Sequence, residues 1–298
     1  MRGGRTRSVT LLLLGLAPII GCGVLEDRLT ICSKNFTESI LLGEIVAQRL
    51  ESAGIDVDRR FNLGGTFVCH EALVAGQVDL YVEYTGTAHS AILKLPLERD
   101  RARVLRLVDS IYGERWAVEW TEPLGFENTF AILIRGTDAR RLGITTVTEA
   151  VPHATDWRPG FGYEFTGRED GYRGLVAAYG FRFAAPAAEM DLGLTYRALA
   201  RGQVDLIAGN STDGQIEALD LFHLVDDRRY FPPYEAVPIV RRDALERFPG
   251  ARDALRALGG TIDAPAMRRM NYQVDVEKRL IRDVARAFLT GLRLPMRP

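Results

Sequence analysis

Lysine is scarce in this chain. Only Lys34, Lys94 and Lys278 interrupt a basic complement that is otherwise all Arg, so a Lys at a junction between elements stands out. Lys34 sits at such a junction, between a strand-like run at 29–32 and a helix start marked by Asn35 and, three residues on, Glu38. A cation beside a helix N-terminus suits an anionic group; pairing with Glu38 at i+4 is the plainer alternative. Arg168 offers a second choice of the same kind, between clasping a carboxylate and pairing with Glu169 or Asp170. Enzyme-like patterns are incomplete. Residues 209–213 (GNSTD) resemble a nucleophile elbow but lack its second Gly. Residues 160–165 (GFGYEF) lack the last Gly of a dinucleotide fingerprint, and Phe161 and Tyr163 would crowd the phosphates. His70, His89, His153 and His223 have no metal-ligand spacing, and read as solvent-exposed or hydrogen-bonded side chains. No enzyme activity, cofactor or metal is expected.

The elements that position these residues alternate. The strand at 29–32 precedes a helix with Ile40, Leu41, Ile45, Val46 and Leu50 on one face, stopped at Gly54. A strand at 57–63, a turn at Gly64 and Gly65, a helix to Ala75 ended by Gly76, and a strand at 78–84 follow. This β-α-β-α-β order implies a mostly parallel sheet covered by helices. Residues 72–80 (ALVAGQVDL) return as 198–206 (ALARGQVDL). A helix end, a Gly cap and a buried strand occur twice, which implies two lobes of similar design; two distant copies do not make a solenoid. The second lobe opens on a buried strand at 130–134. Beyond Tyr234 come a strand at 235–240 and helices, the last striped by Val284, Ala287, Phe288 and Leu292.

The chain has 298 residues, 47% hydrophobic and 26% charged, with net charge −1. That excludes disorder and a polytopic membrane protein, fits about two domains, and gives no polyanion-binding balance, so no nucleic-acid partner is expected. The arginine-rich stretch 99–106 reads as a solvated helix face. Arg2, Arg5 and Arg7 precede an apolar stretch at 9–20, too short to cross a bilayer core of ~30 Å. This is the form of a secretory leader. Ile19, Ile20, Gly21 and Cys22 then resemble a bacterial lipobox, implying cleavage after residue 21 and a lipid anchor on Cys22. Cys32 and Cys69 remain in the exported body as free core thiols, or as a disulfide where geometry allows.

From the segment SKNFTE at 33–38 onward, the chain resembles the substrate-binding lipoproteins of osmoprotectant ABC importers, which serve glycine betaine, choline and related quaternary amines. The blocks NLGGT (62–66), HEAL (70–73), YVEYTGT (81–87), LGFENTFAIL (124–133), GYEF followed by Arg168, STDG (211–214), YFPPY (230–234) and NYQVDV (271–276) carry the likeness from residue 28 to the end. The resemblance implies an α/β, bilobal type II periplasmic-binding-protein fold with two mixed sheets and a ligand cleft between lobes. It divides the chain into a leader at 1–21, lobe 1 at 28–128 plus 235–298, and lobe 2 at 129–234. It further implies a monomeric, exported, membrane-anchored receptor that delivers its ligand to an ABC permease.

A quaternary amine cannot donate hydrogen bonds from its cation, but aromatic faces hold it at ~0.5–2 kcal/mol per ring. By resemblance the aromatic cage falls at Tyr84, Phe130, Asn210 and Tyr234, where Phe130 and Asn210 stand in place of the family's usual Tyr. Phe keeps the π face; Asn does not, and its amide can bind a polar ligand or water. Lys34, Thr87 and Arg168 are the anion-side candidates, with Asn128 and Ser211 as further polar contacts. The alternative is the same receptor with altered specificity, for an ergothioneine-like or other polar amine.

Overall fold

Ten strands sort into two five-stranded sheets in a computed structural model that describes residues 27–292. The leader at 1–21 and Cys22 lie outside the described residues. The first sheet contains β1 (Leu29–Lys34), β2 (Val57–Gly64), β3 (Leu80–Tyr84), β4 (Val118–Trp120) and, from late in the chain, β10 (Ala236–Arg241). The second contains β5 (Phe130–Arg135), β6 (Pro159–Gly162), β7 (Ala188–Met190), β8 (Leu206–Asn210) and β9 (Leu221–Leu224). Their orders, β2-β1-β3-β10-β4 and β7-β6-β8-β5-β9, share one plan. In each, three strands run parallel, and one strand arriving from the other half pairs antiparallel: β10 on β3, β5 on β8. The two connecting segments lie side by side, bridged at Glu127 and Glu235, with the Asn128 N–H donating to the Tyr234 carbonyl at 3.0 Å.

The repeated nine residues build the same lock twice. Gly76 and Gly202 take left-handed φ values of 71° and 68°, which cost Gly little. The Ala72 carbonyl accepts from the Gln77 and Val78 N–H groups, and Ala198 does the same for Gln203 and Val204. Asp79 then joins β1, its carboxylate accepting from the Thr30 N–H at 2.8 Å; Asp205 accepts from the Arg158 N–H at 3.0 Å. An Arg closing the incoming antiparallel strand reaches back to the helix end: Arg241 donates to the Leu73 carbonyl, Arg135 to that of Leu199.

Four local expectations change. The first helix, α1 (Thr37–Ser52), has Phe36 at its N-cap without a side-chain cap, so the box between Asn35 and Glu38 does not form. Glu38 turns into the interior. α1 is also buried on more than one face, because the helices Ala251–Arg256, Ala264–Asp275 and Ile281–Gly291 all pack on it. In the last of these the buried residues are Val284 and Ala285, while Ala287 is exposed. Finally, His70 and His89 are buried, each with Nδ1 unpartnered; burial lowers both pKa values. Cys32 and Cys69 are buried free thiols.

Candidate functional site

β3 is buried along its whole length, so its alternation sorts side chains between two interiors. Leu80, Val82 and Tyr84 face one core; Tyr81 faces the other. Tyr84, closing the strand, reaches the cleft between the sheets. Phe130 opens β5 on the far side, directly opposite Asn210 at the end of β8. Tyr234 comes from the second connecting segment. It is seated because residue 86 is Gly: a Cβ there would lie 2.6 Å from the Pro233 carbonyl oxygen and 2.8 Å from the Tyr234 ring.

These side chains enclose a cavity of about 100 Å³ lined also by Lys34, Phe36, Thr87, Asn128, Glu164, Phe165 and Arg168. It is small beside the ~300–1,000 Å³ of drug-sized sites. Its aromatic side chains fall in two groups. The Phe130 ring is 5.9 Å from Tyr234 and 4.8 Å from Phe165, both edge-on, and Phe36 lies 6.3 Å from Tyr84. Two cations already lie over these rings: Lys34 Nζ is 5.4 Å from the Tyr84 centroid, and the Arg168 guanidinium 5.0 Å from that of Phe130.

Both cations are compensated. Lys34 is 1% exposed and donates to Glu83 at 2.5 Å and to the Thr66 hydroxyl at 2.9 Å, so Glu83 of β3, rather than Glu38, is its partner. Arg168 pairs with Asp170 through two hydrogen bonds of 2.8 and 2.6 Å. It also reaches Glu164, the Thr87 hydroxyl and Tyr234. The pairing with Asp170 is buried, not a surface one, since Arg168 is 3% exposed. Burial opposes its charge, but Tyr234, Asp170 and Glu164 outweigh that and hold its pKa above the ordinary value. Glu164 is pushed up by burial and held down, on balance, by Lys34 and Arg168. The Thr66 hydroxyl donates to Glu164 at 2.6 Å, joining the two sides of the cleft directly.

Behind Tyr84 lies a carboxylate with four donors and no cation. Glu38 Oε1 accepts from the Tyr84 hydroxyl and Asn128 Nδ2, each at 2.7 Å; Oε2 accepts from the Thr212 hydroxyl at 2.5 Å and Asn271 Nδ2 at 2.9 Å. Burial raises the Glu38 pKa against the pull of these hydrogen bonds.

Of the residues singled out from sequence, Lys34, Tyr84, Thr87, Asn128, Phe130, Arg168, Asn210 and Tyr234 line this one cavity. Ser211 does not. Its hydroxyl accepts from the Thr129 N–H and faces Asn128 Oδ1, and the residue borders a different cavity. Sequence reasoning missed Glu38, Glu83, Glu164, Phe165, Asp170, Thr212 and Asn271. Most stood inside the quoted blocks, where the signal was a charged or amide residue beside an apolar one.

The chain matches, over residues 27–291, the substrate-binding domain of ABC-type glycine betaine transport systems. It is 35% identical over 270 residues to the ergothioneine transport permease/ergothioneine binding protein EgtU of Helicobacter pylori, covering 90% of this chain but only 48% of that protein. The chain thus spans about half the length of that relative. It is 32% identical over 294 residues to a glycine-betaine-binding protein of Pseudomonas aeruginosa, covering 95% of this chain and 94% of that one. Among solved structures, a glycine betaine/carnitine/choline ABC transporter protein superposes with a TM-score of 0.74 at 29% identity, covering 89% of this chain and 98% of that one. Family match, bilobal sheet plan and ring-lined cleft agree: this chain belongs to the family of substrate-binding domains of ABC-type glycine betaine transport systems.

Proposed function

We propose that this chain is the exported solute receptor of an ABC importer, that it captures a quaternary amine of the betaine and choline class, and that it carries out no bond chemistry. The observation that carries this reading is the convergence of Tyr84, Phe130 and Tyr234 on one small cavity from three separate parts of the fold. Their π faces suit a cation that offers no hydrogen bond. Lys34, Arg168 and Thr87 stand ready for a carboxylate, which would compete with Glu83 and Asp170 for those donors. Lobe 1 (28–128 plus 235–298) and lobe 2 (129–234) close on the ligand, which stabilises the closed form through its contacts with both. The receptor acts as a monomer held at the membrane surface by a lipid on Cys22, and docks on the permease.

A second reading has its own support. Asn210 brings an amide where the cage would have a ring, and the Helicobacter pylori relative is named for ergothioneine. Calorimetry of the chain from residue 23 against glycine betaine, choline, carnitine and ergothioneine tests both. Tight binding of one of the first three, weakened at least tenfold by Tyr84→Ala and by Tyr234→Ala, supports the first reading. Binding of ergothioneine alone selects the second. Binding of none overturns both.

A further inference from the structure

The four groups that bond to Glu38 reach it from four parts of the chain. Tyr84 ends β3, Asn128 lies on the first connecting segment, Thr212 follows β8, and Asn271 belongs to the helix Ala264–Asp275. All four are buried, as is Glu38 at 3% exposure. Two of the donors are side-chain amides, one on each carboxylate oxygen, and an amide nitrogen only donates. Asn271 is fixed in this orientation because its Nδ2 also serves the Thr212 carbonyl. Four donors fill the acceptor positions of a carboxylate and leave a carboxyl proton nothing to bond to. The hydrogen bonds therefore select the ionised form, against the burial that opposes it.

The charge fixed in this way has no counter-ion in the protein. Glu83 accepts from the Tyr84 N–H and Glu38 from its hydroxyl, while Lys34, 5.4 Å from the ring centroid, is already bonded to Glu83. Two carboxylates against one ammonium leave a negative charge over. Arg168 also meets two carboxylates, but Asp170 and Glu164 keep 18% and 33% side-chain exposure, so water screens them. Glu38 has no such relief. Asp191, Asp213 and Asp275, the other charged residues lining the space beside it, are acids as well. A buried ion without an opposite charge is costly to keep. The missing cation has room on the other side of the Tyr84 ring, in the cavity which that ring lines and Glu38 does not.

We propose that Glu38 is the counter-charge of the bound quaternary amine. It is a positioning residue that acts through Tyr84: it holds the ring by its hydroxyl and sets a negative charge behind it. The receptor then selects a cationic head over a neutral body of the same shape. Burial and the Glu38 charge keep the proton on the Tyr84 hydroxyl, so Tyr84 remains the donor. Opposite unit charges separated by one ring, ~9 Å apart at an effective dielectric of ~20, shift a binding equilibrium by about tenfold to twentyfold. This rests on the quaternary-amine reading of the cleft, and the test separates the two.

The probes are two pairs: choline with neohexyl alcohol, and glycine betaine with the anion of tert-butylacetic acid. Within each pair carbon replaces the charged nitrogen and the shape is kept. Calorimetry of the receptor, with displacement titration for the weaker partner, is expected to give an amine that binds a Kd at least about tenfold tighter than its carbon isostere. Glu38→Gln keeps the shape of the side chain, removes its charge, and is expected to cut that ratio at least about fivefold. Tyr84→Phe keeps the ring, cuts its link to Glu38, and is expected to cut the ratio about threefold. A purely structural role for Glu38 would weaken both members of a pair alike and leave the ratio where it was. A ratio unchanged in Glu38→Gln, or in Tyr84→Phe should the first variant not fold, overturns the role of Glu38 and leaves the quaternary-amine reading in place. Binding of neither amine, or equal binding of amine and isostere in the parent protein, overturns that reading and the role of Glu38 with it.

Discussion

The two halves share their scaffolding down to single hydrogen bonds and differ in what they place inside it. Both end a helix on a left-handed Gly, lock the next Asp to a neighbouring strand, and tie the incoming antiparallel strand back with an Arg. The first half then buries an ion pair within its own sheet region, Lys34 with Glu83, at side-chain exposures of 2% and 0%. The second half sends Arg168 to the cleft wall, where its main partner Asp170 keeps 18% exposure. Both cations are buried, but Lys34 is hydrogen-bonded to a single carboxylate, Glu83, whereas Arg168 has two, Asp170 and Glu164. The lock belongs to the fold; the placement of the ion pair belongs to the site.

The largest expected effect breaks this comparison at the ion pairs. Glu83→Ala strands the Lys34 charge in the interior and is expected to lower unfolding stability by about 3–5 kcal/mol. Asp170→Ala leaves Arg168 with Glu164, Thr87 and Tyr234 and is expected to cost about 1–2 kcal/mol. Urea denaturation of both variants reads the difference, and equal losses would erase the distinction.

The lock comes next. Asp205 holds Arg158 and Arg135, whereas Asp79 holds the Thr30 N–H and Arg247. Asp79→Asn and Asp205→Asn should each cost about 1.5–3 kcal/mol, in agreement within about 1 kcal/mol if the lock is one device used twice. A smaller effect falls on the cleft alone. Gly86→Ala forces Tyr234 from its seat and should weaken ligand binding several-fold by calorimetry, with the first-half lock undisturbed.

The smallest effect is in pH. Burial pushes Asp205 up, but hydrogen bonds from Arg158 and the Arg135 charge outweigh it and hold its pKa at about 2, below the ordinary 3.8. A depressed carboxyl stabilises the fold above its unfolded pKa, and the gain disappears as pH falls from about 4 to about 2. After solvent screening the expected loss is about 1 kcal/mol. The stability gap between the parent protein and Asp205→Asn should therefore narrow by about 1 kcal/mol across that window.

Local order was legible wherever it depended on local residues. The strand at 29–32, the stops at Gly54 and Gly76, and the repeated nine residues all reappear as elements, since caps and periodicity act over a few residues. Both sheets contain the parallel β-α-β-α-β order read from the first half. What escaped was pairing at long range. Lys34 and Glu83 are 49 residues apart and meet only because β1 lies beside β3. Glu38 read as a helix cap because nothing local announces that Asn128, Thr212 and Asn271 converge on it. Ser211 read as a further polar contact, and the turn after β8 sets it beside a different cavity, its hydroxyl accepting from the Thr129 N–H.

The proposed function requires rings from separate parts of the chain to hold a quaternary cation between the lobes. The most direct test is a crystal structure with the tightest-binding amine of the calorimetric panel. A quaternary nitrogen is expected within about 6 Å of the ring centroids of at least two of Tyr84, Phe130 and Tyr234. A ligand bound away from these rings, or contacting one lobe alone, would contradict it.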